Sequence, residues 1–144
     1  MIKIAGTYKL ASPVDQVWPR IFDVQSLMSL IPGCQQLEEV APGEYCGQIQ
    51  VGVAGMSGTY ATTVRVVESD PPRQCRFAGE VSGAAGVITG EASFRLMEVN
   101  ARHSLIEYDA QGVITGALGK LSPRFVEGVA RTLLNIGLAK LASK

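Results

Sequence analysis

The feature that most constrains this chain is a run of about 80 residues in which hydropathy alternates with period two and the interruptions are very short. From Gln35 to Thr115, the segments Glu44 to Val53, Ser57 to Glu68, Arg73 to Ser82, Val87 to Val99 and Arg102 to Thr115 each read as strands. They are separated by Ala41-Pro42-Gly43, Ala54-Gly55-Met56, Ser69-Asp70-Pro71-Pro72, Gly83-Ala84-Ala85-Gly86 and Asn100-Ala101. Parallel neighbours need a crossover of a dozen residues or more, so connections this short force an antiparallel meander.

The flanks change period. Lys3 to Leu10 alternates as one further strand, and Ser12-Pro13 is a helix start, with Ser12 as cap and Pro13 at the first helical position. Val14, Val17, Trp18 and Ile21 then follow helical spacing, and Asp23 caps a second short helix from Val24 to Leu30. From about Leu118 onward, Leu118, Leu121, Phe125, Val129, Leu133 and Ile136 form an apolar stripe along one long amphipathic helix. One strand, two small helices, a long meander and a final helix make an α+β domain spanning residues 1 to 144, with six to seven strands curved around the last helix. A chain of 144 residues is enough for one such core.

Parity along the strands assigns the two faces. Charged positions mark the wet face, which leaves inward sets such as Tyr45, Gly47, Ile49, Val51 and Val53, then Tyr60, Thr62, Val64 and Val66. They continue with Cys75, Phe77, Gly79 and Val81, then Ile88, Gly90, Ala92, Phe94 and Leu96, then Ile106, Tyr108, Ala110 and Gly112. Small residues recur on this face, and the chain as a whole carries 16 glycines. Either they let the sheet bend and the helix approach closely, or they leave a cavity between sheet and helix. In the second case the expected walls are Val51, Val53, Tyr60, Phe77, Ile88, Tyr108, Leu121 and Phe125. Gly79, Gly90, Ala92 and Ala110 would leave the space, and Tyr60, Thr62 and Tyr108 would orient a ligand. Such a lining suits an apolar small molecule.

Groups for catalysis are scarce. His103 is the single histidine, beside Arg102 at a turn, and Ser57 lacks the strand-to-helix setting of a nucleophile elbow. Glu91, Glu107 and Asp109 point outward, where two carboxylates are not separated in pKa by a sheltered cleft. Cys34, Cys46 and Cys75 have neither a disulfide pattern nor metal-ligand spacing, so a reducing, cytoplasmic setting with no metal or cofactor is expected. Met1-Ile2-Lys3-Ile4 has no signal-peptide character. Net charge is zero, which gives no reason to expect nucleic acid. The zero hides a division. Residues 116 to 144 hold five basic side chains, Lys120, Arg124, Arg131, Lys140 and Lys144, against Glu127 alone. That segment therefore carries +4 and the rest −4, so the basic helix either docks an acidic partner or membrane surface or is a solvated face.

Ser12-Pro13 with Val17-Trp18, Ile31-Pro32-Gly33-Cys34, Gly58-Thr59-Tyr60, Asp70-Pro71-Pro72-Arg73, Gly79-Glu80, Gly83-Ala84-Ala85-Gly86 and the strand containing Gly90 together resemble the CoxG family of carbon monoxide dehydrogenase subunits. That family belongs to the START-like, helix-grip superfamily with Bet v 1-type proteins and polyketide cyclases. The resemblance runs from Lys3 to about Leu138. It implies a helix-grip fold and a non-catalytic accessory role beside a molybdenum-containing carbon monoxide dehydrogenase or related hydroxylase. It also implies recruitment of that enzyme to the cytoplasmic membrane and an apolar cavity for a quinone or lipid. It brings no catalytic set. Members of the membrane-recruiting kind continue into a membrane-seeking tail, whereas this sequence stops at Lys144, so the expectation divides between a soluble role and membrane work shared by the basic helix. An assembly module acting through that helix and a cyclase- or hydrolase-type enzyme are the alternatives to a carrier.

Overall fold

The computed structural model describes residues 1–53 and 55–142. Ala54 of the expected second turn, and Ser143 and Lys144 with the last of the basic charges, lie outside the described residues. The strands are β1 (Ile2–Leu10), β2 (Cys34–Ala41), β3 (Glu44–Val51), β4 (Gly58–Asp70), β5 (Gln74–Gly83), β6 (Gly86–Asn100) and β7 (His103–Thr115). Two short helices, α1 (Val14–Phe22) and α2 (Val24–Leu30), follow β1, and a long helix, α3 (Pro123–Ala142), ends the chain. The sheet order is β1-β7-β6-β5-β4-β3-β2, antiparallel at every pairing. Six strands therefore follow as a meander, and β1 joins its far edge beside β7.

The seventh strand, β2, lies where the period-two pattern begins but where no separate strand is delimited by sequence. Bulges at Cys34/Gln36 and Glu39/Ala41 break its alternation, because an inserted residue shifts the parity of all that follow. Asp23 caps α2 as expected, its Oδ2 accepting from Ser26 N at 3.1 Å. Ser12 does not cap α1. Pro13 occupies the cap position without a side-chain bond, while the buried Ser12 accepts from Arg20 Nη1 through its hydroxyl and from Ser104 Oγ through its carbonyl. The bond from Ser104 ties the start of α1 to β7, and the bond from Arg20 joins Ser12 to α1 itself.

The final helix also differs from the expectation. Gly116–Lys120 is a 3-10 helix, Leu121 is extended, and α3 starts only at Pro123, with Ser122 Oγ accepting from Phe125 N at 3.0 Å. Helical phase does not carry across an extended residue. The buried face of α3 is therefore Val126, Leu138 and Leu141, with Ala130 and Leu134 between. Phe125 and Ile136 from the expected stripe point outward, at 42% and 41% exposure.

Two apolar clusters hold the sheet to its helices. The larger one joins Leu10, Val17, Leu30, Cys75, Phe94, Leu96, Ile106, Leu138 and Leu141, with Trp18 and Phe22 packed on Phe94 at ring separations of 5.8 and 6.4 Å. The smaller joins Met56, Tyr60, Leu118 and Val126 at the other end. The middle of the inner face belongs to neither buried core.

Candidate functional site

The register explains why the middle is unfilled. Gly79 on β5 is paired with Gly90 on β6, and Gly90 with Gly112 on β7. In the next row on the same face, Phe77 is paired with Ala92, Ala92 with Ala110, and Ala110 with Ile4. Five positions in two adjacent rows thus carry at most a methyl group. Helix α3 sets Ala130 over this region, one turn after Val126 and one turn before Leu134, which pack into the two clusters. Small residues on both layers leave an apolar cavity of about 270 Å³.

Its walls come from Ile2 and Ile4 of β1, Thr62 and Val64 of β4, Phe77 and Val81 of β5, and Ile88 of β6, with the glycine and alanine rows beneath. Were such a volume sealed and dry, a penalty of about 24 cal/mol per Å³ would amount to roughly 6 kcal/mol, comparable with a small domain's entire stability. A cavity of this size is relieved by occupants, whether water or ligand. A larger groove of about 700 Å³ lies near α1, but Asp15, Asp70, Arg73, Arg95 and Glu98 line it, giving a charged rim instead of an apolar interior.

The inward-facing polar side chain of the cavity is Thr62. Its Oγ1 is buried and has no hydrogen-bond partner among the described residues. A buried hydroxyl without a partner is destabilising by about 1–3 kcal/mol, so this atom is an exception that calls for a physical cause.

Of the residues expected at the site, Thr62, Phe77, Gly79, Ile88, Gly90, Ala92 and Ala110 line the cavity. Val51, Val53, Tyr60 and Leu121 instead belong to the smaller cluster at one end. Tyr60 donates its hydroxyl to the Met56 carbonyl at 2.7 Å, and burial pushes its phenol pKa up, so it fastens the β3–β4 connection and is unavailable to orient a ligand. Tyr108 packs against the larger cluster, its ring over Gly6, the residue paired with it on β1. Phe125 faces outward for the phase reason given above. Ile2, Ile4, Val64, Val81, Gly112 and Ala130 were not among the expected walls. Val64, Val81 and Gly112 were already legible as inward by parity, whereas Ile2, Ile4 and Ala130 needed the β1–β7 pairing and the rotation of α3.

The two explanations for the glycines divide by position. A Cβ on Gly90 would run into the Gln111 carbonyl oxygen of the neighbouring strand, so close backbone approach alone requires glycine there. At Gly112 an added Cβ would make only snug contacts, 3.3 Å to the Thr89 carbonyl and 3.5 Å to Ile88 Cγ2. Ala92 and Ala110 already carry Cβ atoms, and no backbone constraint keeps them small. The cavity, in contrast to the close backbone approach at Gly90, depends on these alanines.

A seven-stranded antiparallel sheet holding a C-terminal helix over an apolar cavity defines a START-like, helix-grip protein. The chain belongs to the CoxG family of carbon monoxide dehydrogenase subunits, whose model matches residues 6–144. A search of curated protein sequences found no match. Among solved structures, a conserved protein from Geobacillus kaustophilus superposes with a TM-score of 0.95 at 24% identity, covering 99% of this chain and 93% of that one. A START superfamily protein from Mycobacterium smegmatis gives 0.74 at 13% identity, with 98% and 94% covered. The Zhui aromatase/cyclase from Streptomyces gives 0.65 at 20% identity, with 96% and 92% covered. At these identities the likeness shows the fold. Family and fold together support a ligand-binding or accessory role.

Proposed function

We propose that residues 1 to 144 act as a single non-catalytic carrier domain that holds an apolar molecule, quinone- or lipid-like, between the sheet and α3. Its proposed setting is beside a molybdenum carbon monoxide dehydrogenase or related hydroxylase, with a part in bringing that enzyme to the membrane. The observation that carries the reading is the apolar cavity of about 270 Å³ over Gly79, Ala92 and Ala110, bordered on the helix side by another small residue, Ala130. Catalysis of the cyclase or hydrolase kind is less well supported, because Thr62 is the cavity's inward polar side chain and its glutamates, Glu80 and Glu91, are exposed on the outer face. The test is to extract the purified protein with organic solvent and identify by mass spectrometry what is released. A reproducible apolar compound in near-stoichiometric amount is expected, and its loss in Ala110→Leu ties it to the cavity. Protein that is empty and takes up no added quinone or lipid refutes the reading.

A second reading, docking to a partner or to an anionic membrane, draws support from the outer side of α3. Phe125 and Ile136 are exposed there, with Arg124 on the same helix and Lys120 just before it. No described helix is long and apolar enough to cross a membrane. Reversing Lys120 and Arg124 to Glu should abolish a salt-sensitive co-sedimentation with anionic vesicles; sedimentation unaltered by the reversal removes this reading.

A further inference from the structure

We propose that Thr62 is the recognition point of the cavity, and that the ligand presents a compact apolar group bearing one carbonyl or hydroxyl oxygen to its Oγ1. This rests on the carrier reading above and adds to it the chemistry of the ligand. Thr62 sits on β4 between Gly47 of β3 and Val81 of β5, so neither in-row neighbour brings a polar side chain to it. Its hydroxyl is buried beside the cavity without a partner among the described residues. Valine has nearly the same shape and would avoid the unmet hydrogen bond, so packing alone gives no reason for threonine here. A hydroxyl both donates and accepts, and can therefore take either a carbonyl or a hydroxyl oxygen. Size sets the other limit. A hydrocarbon-lined cavity of about 150 Å³ accommodates one benzene, so about 270 Å³ takes a group of roughly two fused rings, and any longer portion of the ligand lies outside.

The experiment uses 2-acetylnaphthalene and its near-isosteric hydrocarbon, 2-isopropenylnaphthalene, titrated by fluorescence into the full chain, Thr62→Val and Thr62→Ser. The quantity read is the ratio of the two affinities, which cancels general hydrophobicity. Thr62→Val is expected to lower the ketone-to-hydrocarbon ratio about fivefold, the size of one net hydrogen bond, while Thr62→Ser keeps the original ratio. Ligand-free Thr62→Val is also expected to melt higher, since the unmet hydroxyl is gone. If both probes bind and the ratio is the same in all three proteins, the proposal for Thr62 is overturned and the carrier reading stands. A lower melting temperature for Thr62→Val overturns it too, by showing that the fold itself uses the hydroxyl. If neither probe binds the unsubstituted protein, the carrier reading falls and this proposal with it.

Discussion

Replacing Ala110 by Leu tests the cavity by the sign of its effect on stability. Ala110 lies on the inner face of β7, between Ala92 and Ile4 in the register, at the wall of the cavity. Leucine adds three carbons. At about 0.8 kcal/mol per buried CH₂ their burial contributes roughly 2.4 kcal/mol, and ordering the longer side chain takes back about 0.5–1 kcal/mol. The net expectation is a stabilisation of about 1.5 kcal/mol, or a rise in melting temperature of about 6 °C for a domain of this size. In a position already packed, the same substitution would overfill the interior and destabilise by about 1–3 kcal/mol. Calorimetry of ligand-free protein distinguishes the two. Uptake of the extracted ligand, or of added quinone, should fall at least tenfold in the same variant, because the new side chain occupies the space. A lower melting temperature together with undiminished uptake would refute both the cavity and its assignment to this face.

The other expectations concern the supports around the cavity. Tyr60→Phe removes the 2.7 Å bond to the Met56 carbonyl and should lower stability by about 1–2 kcal/mol in urea melts, with ligand uptake little changed. Gly90→Ala should destabilise far more than Gly112→Ala, since only the former drives a Cβ into the Gln111 carbonyl; equal urea midpoints would contradict the close approach. Burial pushes the Cys75 thiol pKa up. The unfolded thiol then loses its proton at a lower pH than the folded one, so this contribution is intact below the ordinary thiol pKa and declines as pH rises from there through the folded value. Urea midpoints should therefore begin to fall as pH rises past the ordinary thiol value of about 8.5, and Cys75→Val should flatten that fall.

Much of this architecture was legible from local pattern. The boundaries of β4 to β7 fall within about two residues of those expected, and the inward parity of every meander strand from β3 to β7 agrees with the burial seen along it. Both follow from a period set by the pleat and from turns too short to allow anything but antiparallel return. Asp23 capping α2 is local in the same way, since donor and acceptor are three residues apart. The seventh strand, β2, was harder to read because its bulges interrupt that period.

By itself, then, the sequence determined the meander order of β3 to β7, the concave face and the concentration of small residues on it. Only the tertiary structure decided which of those residues border empty space. That depends on the distance between layers and on the rotation of α3, and a two-residue break at Leu121-Ser122 was enough to turn Phe125 outward and put Ala130 over the sheet. It likewise decided that Tyr60 spends its hydroxyl on Met56 while Thr62, two residues on, keeps its own unmet. Both face inward by parity, but a hydrogen-bond partner is a matter of three-dimensional reach, which alternation along one strand does not encode.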